Sequence, residues 1–396
     1  MLITAQQVIT ADTAADPVPF AGWVEVAGDV IGGVGAGAPP RHADVALPDG
    51  YLLPGFVDLQ VNGYFGVELQ VADGSAWGMV AARLPATGTT ALLPTLITAP
   101  VDSLAAALTA ARTFVPELQA GGARLLGVHV EGPFIAPRWR GAHNPDWIID
   151  PTPAAVGELI EAGRGVLRLV TLAPERPFAL DAIDRLTAAG VRVSVGHSDA
   201  TAEQVAAAAG RGARLVTHLF NAQRPLRHRE PGVVGQALID ERLTSGLIVD
   251  LHHVAGPVCA LAFRAAPRRI ALVTDAAAPA GMPPGQYLLG GEPVTLPDGD
   301  GVPPVRGDGT IAGSALRMDA AVGNTVACGV PLVAAVAAAT RIPADAIGRP
   351  DLGRLRAGAA ADLVWLGADF RTRATWVAGR LVYTDDAYAT LASATA

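Results

Sequence analysis

The sequence predicts a mixed α/β fold: a parallel (β/α)8 TIM barrel with a small β-sandwich unit built from both ends of the chain. Three observations predict it. Eight short apolar runs, rich in β-branched residues and bounded by Gly, Pro or Asn, recur along the chain. Ala- and Leu-rich segments with helical spacing separate them, and turn-rich strand patterns flank the whole. Continuous rather than alternating hydrophobicity marks strands buried on both faces. Strand, helix and strand in repetition imply right-handed βαβ units.

The elements follow in order. Residues 1–53 read as short strands (MLITAQQVITA, AGWVEVAGDVIGGVG, HADVALPDGYLL) with Gly and Asp turns, the first part of the small β unit. The barrel is assigned to 54–352. Its strands are FVDLQVNG (56–63), TTALLPTLIT (89–98), LLGVHVEGP (125–133) and LRLVTLAPE (167–175). VRVSVGHS (191–198), RLVTHLFN (214–221), SGLIVDLHH (245–253) and RIALVTDA (269–276) complete the set. VDSLAAALTAARTFV, ALDAIDRLTAAG and TAEQVAAAAGRG have helical spacing, and the last two end in Gly, a stop signal. The Pro- and Gly-rich stretch 283–310 reads as an insertion in which YLLGGEPVTL forms a hairpin. Helices from about 317 to 348 close the barrel, and 353–396 return to strands as the second part of the β unit.

Composition narrows the function. Hydrophobic residues make up 51% of the 396 and charged ones 17%, a balance that fills a core and excludes disorder. All 29 basic residues are Arg. With no Lys there is no Schiff-base lysine, no P-loop lysine and no carboxylated-lysine metal bridge. The net charge of −8 without a basic block argues against nucleic-acid binding. No run reaches the roughly 18 apolar residues of a spanning helix, and no signal peptide is read at the N-terminus. A soluble, cytoplasmic protein is expected. Cys259 and Cys328 lack metal or redox spacing and read as inert thiols in apolar helices.

Four residues carry the chemistry. Glu131, His197, His218 and Asp275 each sit at or just past the end of a separate apolar run, on strands three, five, six and eight. In a parallel barrel those ends converge on one face. One carboxylate and two imidazoles suit a single divalent ion, Zn²⁺ first, with Fe²⁺, Co²⁺ or Mn²⁺ also accommodated. Asp275, from a further strand end, is placed as general base toward water. Structural readings stand beside these: a hydrogen-bonded strand-end His, half of a buried ion pair for Glu131, a helix cap for Asp275. His129 alternates with Glu131 along its strand and reads as support rather than ligand. His252 and His253 are adjacent, so their side chains should diverge at a strand end. His42 and His228 read as exposed.

The stretches PGFVDLQVNGYFG, GVHVEGPFI, RGAHNPD, VGHSDAT, THLFNAQ, REPGVVGQALID, LVTDAAAPAG and IAGSAL lie in order along the barrel. As a set they resemble the amidohydrolase superfamily, and within it the N-acetylglucosamine-6-phosphate deacetylases. LGRLRAGAAADLVWL is similar to that family's return into its β domain. The resemblance implies hydrolysis of an N-acetyl group, releasing acetate and an amino-sugar phosphate. It implies Glu131, His197 and His218 as metal ligands and Asp275 as acid/base. It further implies substrate contacts at Ala142, His143, Asn221, Ala222, Arg229, His253 and the Ile311–Ala312–Gly313 segment, and a homodimer with shared active-site contacts.

His143 is the candidate donor to a developing oxyanion. Without Lys, Arg must bind the phosphate. Arg227 and Arg229 are rivals by sequence, and the match of the Arg-Glu-Pro-Gly stretch favours Arg229. Backbone N–H groups at Asn221 and Ala222 would add donors. Many amidohydrolases carry His-x-His at the end of strand one to ligate a second metal; here Gln60-Val61-Asn62 stands there, pointing to one metal. Competing readings are deacetylation of an epimeric hexosamine phosphate, another N-acyl or cyclic-amide hydrolase, and a non-catalytic barrel scaffold.

Overall fold

The computed structural model describes residues 1–12, 18–71, 73–116, 118, 121–299 and 301–389. Parts of the terminal β readings (13–17, 390–396) and residue 300 of the insertion lie outside the described residues. Eight parallel strands run in chain order around the barrel: Phe56–Val61, Thr89–Ile97, Val128–Glu131, Leu167–Leu172, Arg192–Val195, Leu215–Val216, Thr244–Leu247 and Ile270–Leu272. Each pairs with the next, and an isolated parallel bridge between Val61 and Ala276 ties the first to the eighth. Every residue of Phe56–Val61 is buried, as continuous hydrophobicity predicts for a strand covered on both faces.

The helices wrap the outside through apolar stripes. In Ala179–Ala188 the buried residues are Ala179, Ala182, Ile183 and Leu186, one face of a 3.6-residue repeat. Replacing the fully buried Ile183 by Ala would cost roughly 2–5 kcal/mol. Ala202–Arg211 begins on a capping box between Thr201 and Gln204 and ends at Gly212, whose φ of 119° a residue with a side chain rarely adopts.

Both chain ends build one mixed sheet. From edge to edge it runs Arg380–Thr384, Thr372–Val377, Leu363–Leu366, Tyr51–Pro54, Leu2–Val8, Phe20–Ala27 and Val30–Ala36, with Val45–Ala46 beside Leu2–Val8. A bridge from Val30 to Ala360 ties the far edge back to the stretch entering Leu363–Leu366, so the sheet curls on itself. Trp365 and Trp376 fill the core it encloses.

The insertion after strand eight is a three-stranded sheet, Gly285–Leu289, Glu292–Leu296 and Val305–Arg306. Its first turn is Gly290–Gly291 with φ of 61° and 80°, the left-handed pair that a two-residue hairpin requires. Leu289 and Val294 pack on Ala277 and Ala312, which seats the insertion over the barrel mouth.

The strand expected over 245–253 stops at Leu247. Beyond it the chain turns, and Asp250 accepts the backbone N–H groups of His252 and His253. The two histidines do part, His252 to solvent and His253 inward, but a turn rather than strand alternation separates them. Among the described residues no helix is long and apolar enough to cross a membrane. Cys259 is buried and Cys328 half-buried. Burial, then the nearby Cys328, pushes the Cys259 thiol up to about 12, which keeps it protonated.

Candidate active site

The carboxyl ends of the strands surround a cavity of about 310 Å³. Glu131, His197, His218 and Asp275 all line it, from strands three, five, six and eight. His197, His218 and Asp275 have φ of 48°, 26° and 51°. Such left-handed backbone costs non-glycine residues of order 1–3 kcal/mol and clusters at functional sites. The chain turns sharply just past each strand and points the side chain into the cavity.

Three donor atoms converge. Glu131 Oε1 lies 3.2 Å from His197 Nε2 and 3.0 Å from His218 Nε2, and the two Nε2 atoms are 3.1 Å apart. A tetrahedral ion with bonds of about 2.0–2.1 Å separates its ligand atoms by about 3.3 Å. The triangle therefore fits one face of such a coordination shell. His197 Nδ1 donates to the Trp139 carbonyl at 2.9 Å, which leaves the Nε2 lone pair facing the triangle. His218 Nδ1 is buried without a hydrogen-bond partner. Burial opposes charge on Glu131, yet the imidazoles of His197 and His218 hold its carboxyl well below the usual range. Burial likewise opposes charge on His218, and the Glu131 contact outweighs it, raising the imidazole.

Glu131, His143 and His197 also offer ligand atoms within 4.8 Å of one another. His143, however, faces the site differently. The Thr98 backbone N–H donates to its Nδ1 at 3.3 Å, and Thr98 Oγ1 lies 2.7 Å from the same atom. An accepting Nδ1 in a neutral ring leaves the proton on Nε2. Nε2 lies 3.9 Å from Glu131 Oε2. Burial, then the neighbouring His197, pushes the His143 imidazole down to about 3, so the ring is neutral and its Nε2–H is a donor. The Glu131–His197–His218 set is thus the tighter metal cradle.

Gln60 and Asn62 fill the space between the two carboxylates. Gln60 Nε2 donates to Glu131 Oε1 at 2.9 Å and to Asp275 Oδ1 at 3.0 Å, and Asn62 Nδ2 donates to Asp275 Oδ1 at 2.6 Å. Two amide NH₂ groups thereby supply the positive ends that a cation would otherwise bring between Glu131 and Asp275. Burial, then the Glu131 charge, pushes Asp275 up to about 6 despite these donors. Beneath them Asp58 accepts from Thr274 Oγ1 at 2.6 Å and from the backbone N–H groups of Gln60 and Thr274, and burial raises it to about 7.

His129 lies in the barrel interior, 2.7 Å from Thr171 Oγ1 and 3.3 Å from Thr95 Oγ1. Burial lowers it to about 4, and it touches none of the triangle atoms through a hydrogen bond among the described residues.

The expected substrate contacts divide. Ala142, His143, Asn221, Ala222, His253, Ile311 and Gly313 line the cavity. His253 is fixed there by Asp250 Oδ2, 2.5 Å from its Nδ1. Ala312 is fully buried behind the wall among Ala277, Leu289 and Val294. The Asn221 backbone N–H, expected as a donor toward substrate, is instead spent on the His218 carbonyl at 3.0 Å, because the chain makes a tight turn there. Arg229 does not reach the cavity within its own chain. It is exposed at the tip of a turn closed by the Arg227–Glu230 bridge, and no arginine lines the cavity among the described residues.

Sequence reasoning missed three supports. Thr98 orients His143. The Trp139 carbonyl orients His197, and the Trp139 ring is held by Nε1 donating to Asp199 at 2.8 Å. Arg306 of the insertion donates from Nη2 to the Ala142 carbonyl at 2.7 Å and places a positive charge near His143. A backbone carbonyl and contacts from distant loops leave no local pattern to read.

Residues 51–382 match the model of the amidohydrolase family. The chain is 37% identical over 347 residues to the N-acetylglucosamine-6-phosphate deacetylase of Vibrio furnissii, covering 87% of this chain and 86% of that one. It is 38% identical over 358 residues to the N-acetylgalactosamine-6-phosphate deacetylase of Escherichia coli O157:H7, covering 89% and 93%. Among solved structures, a mutant N-acetyl-D-glucosamine-6-phosphate deacetylase from Mycobacterium smegmatis, in complex with N-acetyl-D-glucosamine-6-phosphate, superposes with a TM-score of 0.90. It shares 38% identity, with 97% of this chain and 99% of that one covered.

Proposed function

From the premise that the chain belongs to the amidohydrolase family, we propose that it hydrolyses the N-acetyl group of N-acetylglucosamine-6-phosphate to acetate and glucosamine-6-phosphate. The observation that carries the reading is Asp275, bridged to Glu131 through Gln60 and set beside two converging imidazoles in one cavity. Glu131, His197 and His218 would hold one divalent ion, Zn²⁺ by donor chemistry. Such an ion supplies Lewis acidity, lowering the pKa of a coordinated water from 15.7 toward about 7.

The chain's own residues do the rest. Asp275 accepts the proton of the attacking water and passes it to the sugar nitrogen, because an amine leaves far more readily than an amide anion. Asn62 and Gln60 hold Asp275 by Oδ1, which leaves Oδ2 to take that proton. His143 Nε2–H donates to the carbonyl oxygen as it gains charge; losing such a donor typically costs about 10²–10³ in turnover. With Gln60 bonded to both carboxylates and Asn62 to Asp275, one ion rather than two is the reading that fits.

The phosphate needs a cation, and among the described residues no arginine lines this cavity within one chain. Arg229, exposed and outside its own cavity, supports a homodimer in which each chain presents Arg229 to the cavity of the other. The test is acetate release by the Zn²⁺-loaded protein from N-acetylglucosamine-6-phosphate, N-acetylgalactosamine-6-phosphate and unphosphorylated N-acetylglucosamine. The proposal expects turnover of the glucosamine ester well above both others. The similarity to the galactosamine-ester deacetylase makes faster turnover of that epimer the competing outcome.

A further inference from the structure

The opposite face of the barrel, where the strands begin, carries a second concave surface. Arg192 opens the fifth barrel strand and Arg214 directly precedes the sixth. Arg242 and Arg268 stand two residues before Thr244–Leu247 and Ile270–Leu272, and Arg341 opens the helix Arg341–Ala346. All five line one cavity of about 290 Å³. On a chain of net charge −8, Asp345 is the only acidic residue in that lining among the described residues.

The positive charge there is under-neutralised. Asp345 is held by Arg354, from outside the cavity, through contacts of 2.8 and 2.9 Å, and lies 3.6 Å from Arg341. Asp240 pairs with Arg242 at 2.8 and 2.6 Å. Arg214 spends Nη1 on the carbonyls of Ala209 and Ala213, which fixes its position but supplies no counter-ion. The guanidiniums of Arg192 and Arg268 are exposed, with neither ion pair nor hydrogen bond among the described residues. Arg341 is the sharpest case: its side chain is 11% exposed, and its Nε and Nη2 are buried without an acceptor. Buried donors left unsatisfied are costly, so a group that reaches them with oxygen acceptors is stabilised there.

We propose that this cavity binds an anion with two adjoining phosphoryl groups, inorganic pyrophosphate or the diphosphate of a nucleotide. Planar guanidinium forks match phosphoryl oxygens. Arg192, Arg214, Arg268 and Arg341, set against one shared carboxylate, leave about three net positive charges, which one phosphomonoester would not balance. A neighbouring cavity shares Arg192 and presents Leu126, Val191 and Ile347, apolar surface suited to a nucleotide base. None of the five arginines lines the catalytic cavity.

The test is calorimetric titration of the metal-loaded protein with inorganic pyrophosphate at low salt, with saturating glucosamine-6-phosphate present. One site per chain is expected, weakening as salt rises. The double variant Arg192→Ser/Arg268→Ser changes only exposed side chains and should weaken binding at least about tenfold, as should Arg341→Met. ADP binding tighter than pyrophosphate identifies a nucleotide as the natural source, and equal affinity identifies the phosphoryl groups alone. Absence of binding overturns the proposal, and so does binding that the double variant leaves unchanged, as chelation of the catalytic metal would give.

Discussion

Replacing Asn62 by Ala should shift the acidic limb of the kcat/KM pH profile upward. Asn62 Nδ2 donates at 2.6 Å to Asp275 Oδ1, and this bond favours the ionised carboxylate. A hydrogen bond to a charged group contributes about 1.5–3 kcal/mol. One pKa unit is about 1.36 kcal/mol, so losing the bond lifts Asp275 by roughly 1–2 units. Gln60 Nε2 reaches the same oxygen at 3.0 Å and offsets part of the loss, which favours the lower end. A base titrating at about 6 is about nine-tenths ionised at pH 7, and one titrating at 7–8 is only about one-tenth to one-half ionised. Asn62→Ala should therefore lower kcat/KM at pH 7 roughly two- to tenfold relative to the unsubstituted enzyme, and recover by about pH 9. The assay is acetate release from pH 5 to 9.5 with metal content measured in parallel. A uniform drop at every pH, with no displacement of the limb, would refute the assignment of Asp275 as the base that Asn62 holds.

The other expectations are direct. Asp275→Asn should keep its metal, measured by elemental analysis, while turnover falls by about 10²–10⁴. Glu131→Gln should lose metal as well as activity, whereas Thr98→Val should keep the metal and lose turnover, because Thr98 orients His143 and meets Glu131 only at its backbone carbonyl, at 3.4 Å. Arg229→Ala should raise KM for the phosphorylated sugar far more than for the free sugar, and equal effects on both would assign the phosphate to another residue. Asp58 titrates higher in the folded protein, about 7, than its ordinary 3.8. Its contribution to stability is therefore full below pH 4 and lost as pH rises through 7. Melting curves of Asp58→Asn should accordingly gain on the unsubstituted protein between pH 4 and 8; a constant difference across that range would show that Asp58 ionises freely when folded.

The barrel was legible because its strands are buried on both faces, so each writes a continuous apolar run. Glu131, His197, His218 and Asp275 were legible because a reactive residue at the end of such a run stands out against it. The strand register gave no hint that His197, His218 and Asp275 would carry left-handed backbone, since nothing in a single residue type demands it. The role of Gln60 and Asn62 was half legible: their identity argued against a second metal, but their donation to both carboxylates is a contact between strands one, three and eight. Arg229 read as a phosphate ligand from its neighbours in sequence, while its place at an exposed turn depends on the local bridge between Arg227 and Glu230. The five arginines of the opposite face left no pattern to read because they are scattered over 150 residues and meet only when the barrel closes.

The most direct test is to strip the protein of metal and return Zn²⁺ in measured steps while following acetate release from N-acetylglucosamine-6-phosphate. Activity should rise linearly and saturate at one equivalent per chain. Saturation only at two equivalents would contradict the amide-filled second position, and full activity in the stripped protein would remove the metal from the reaction altogether.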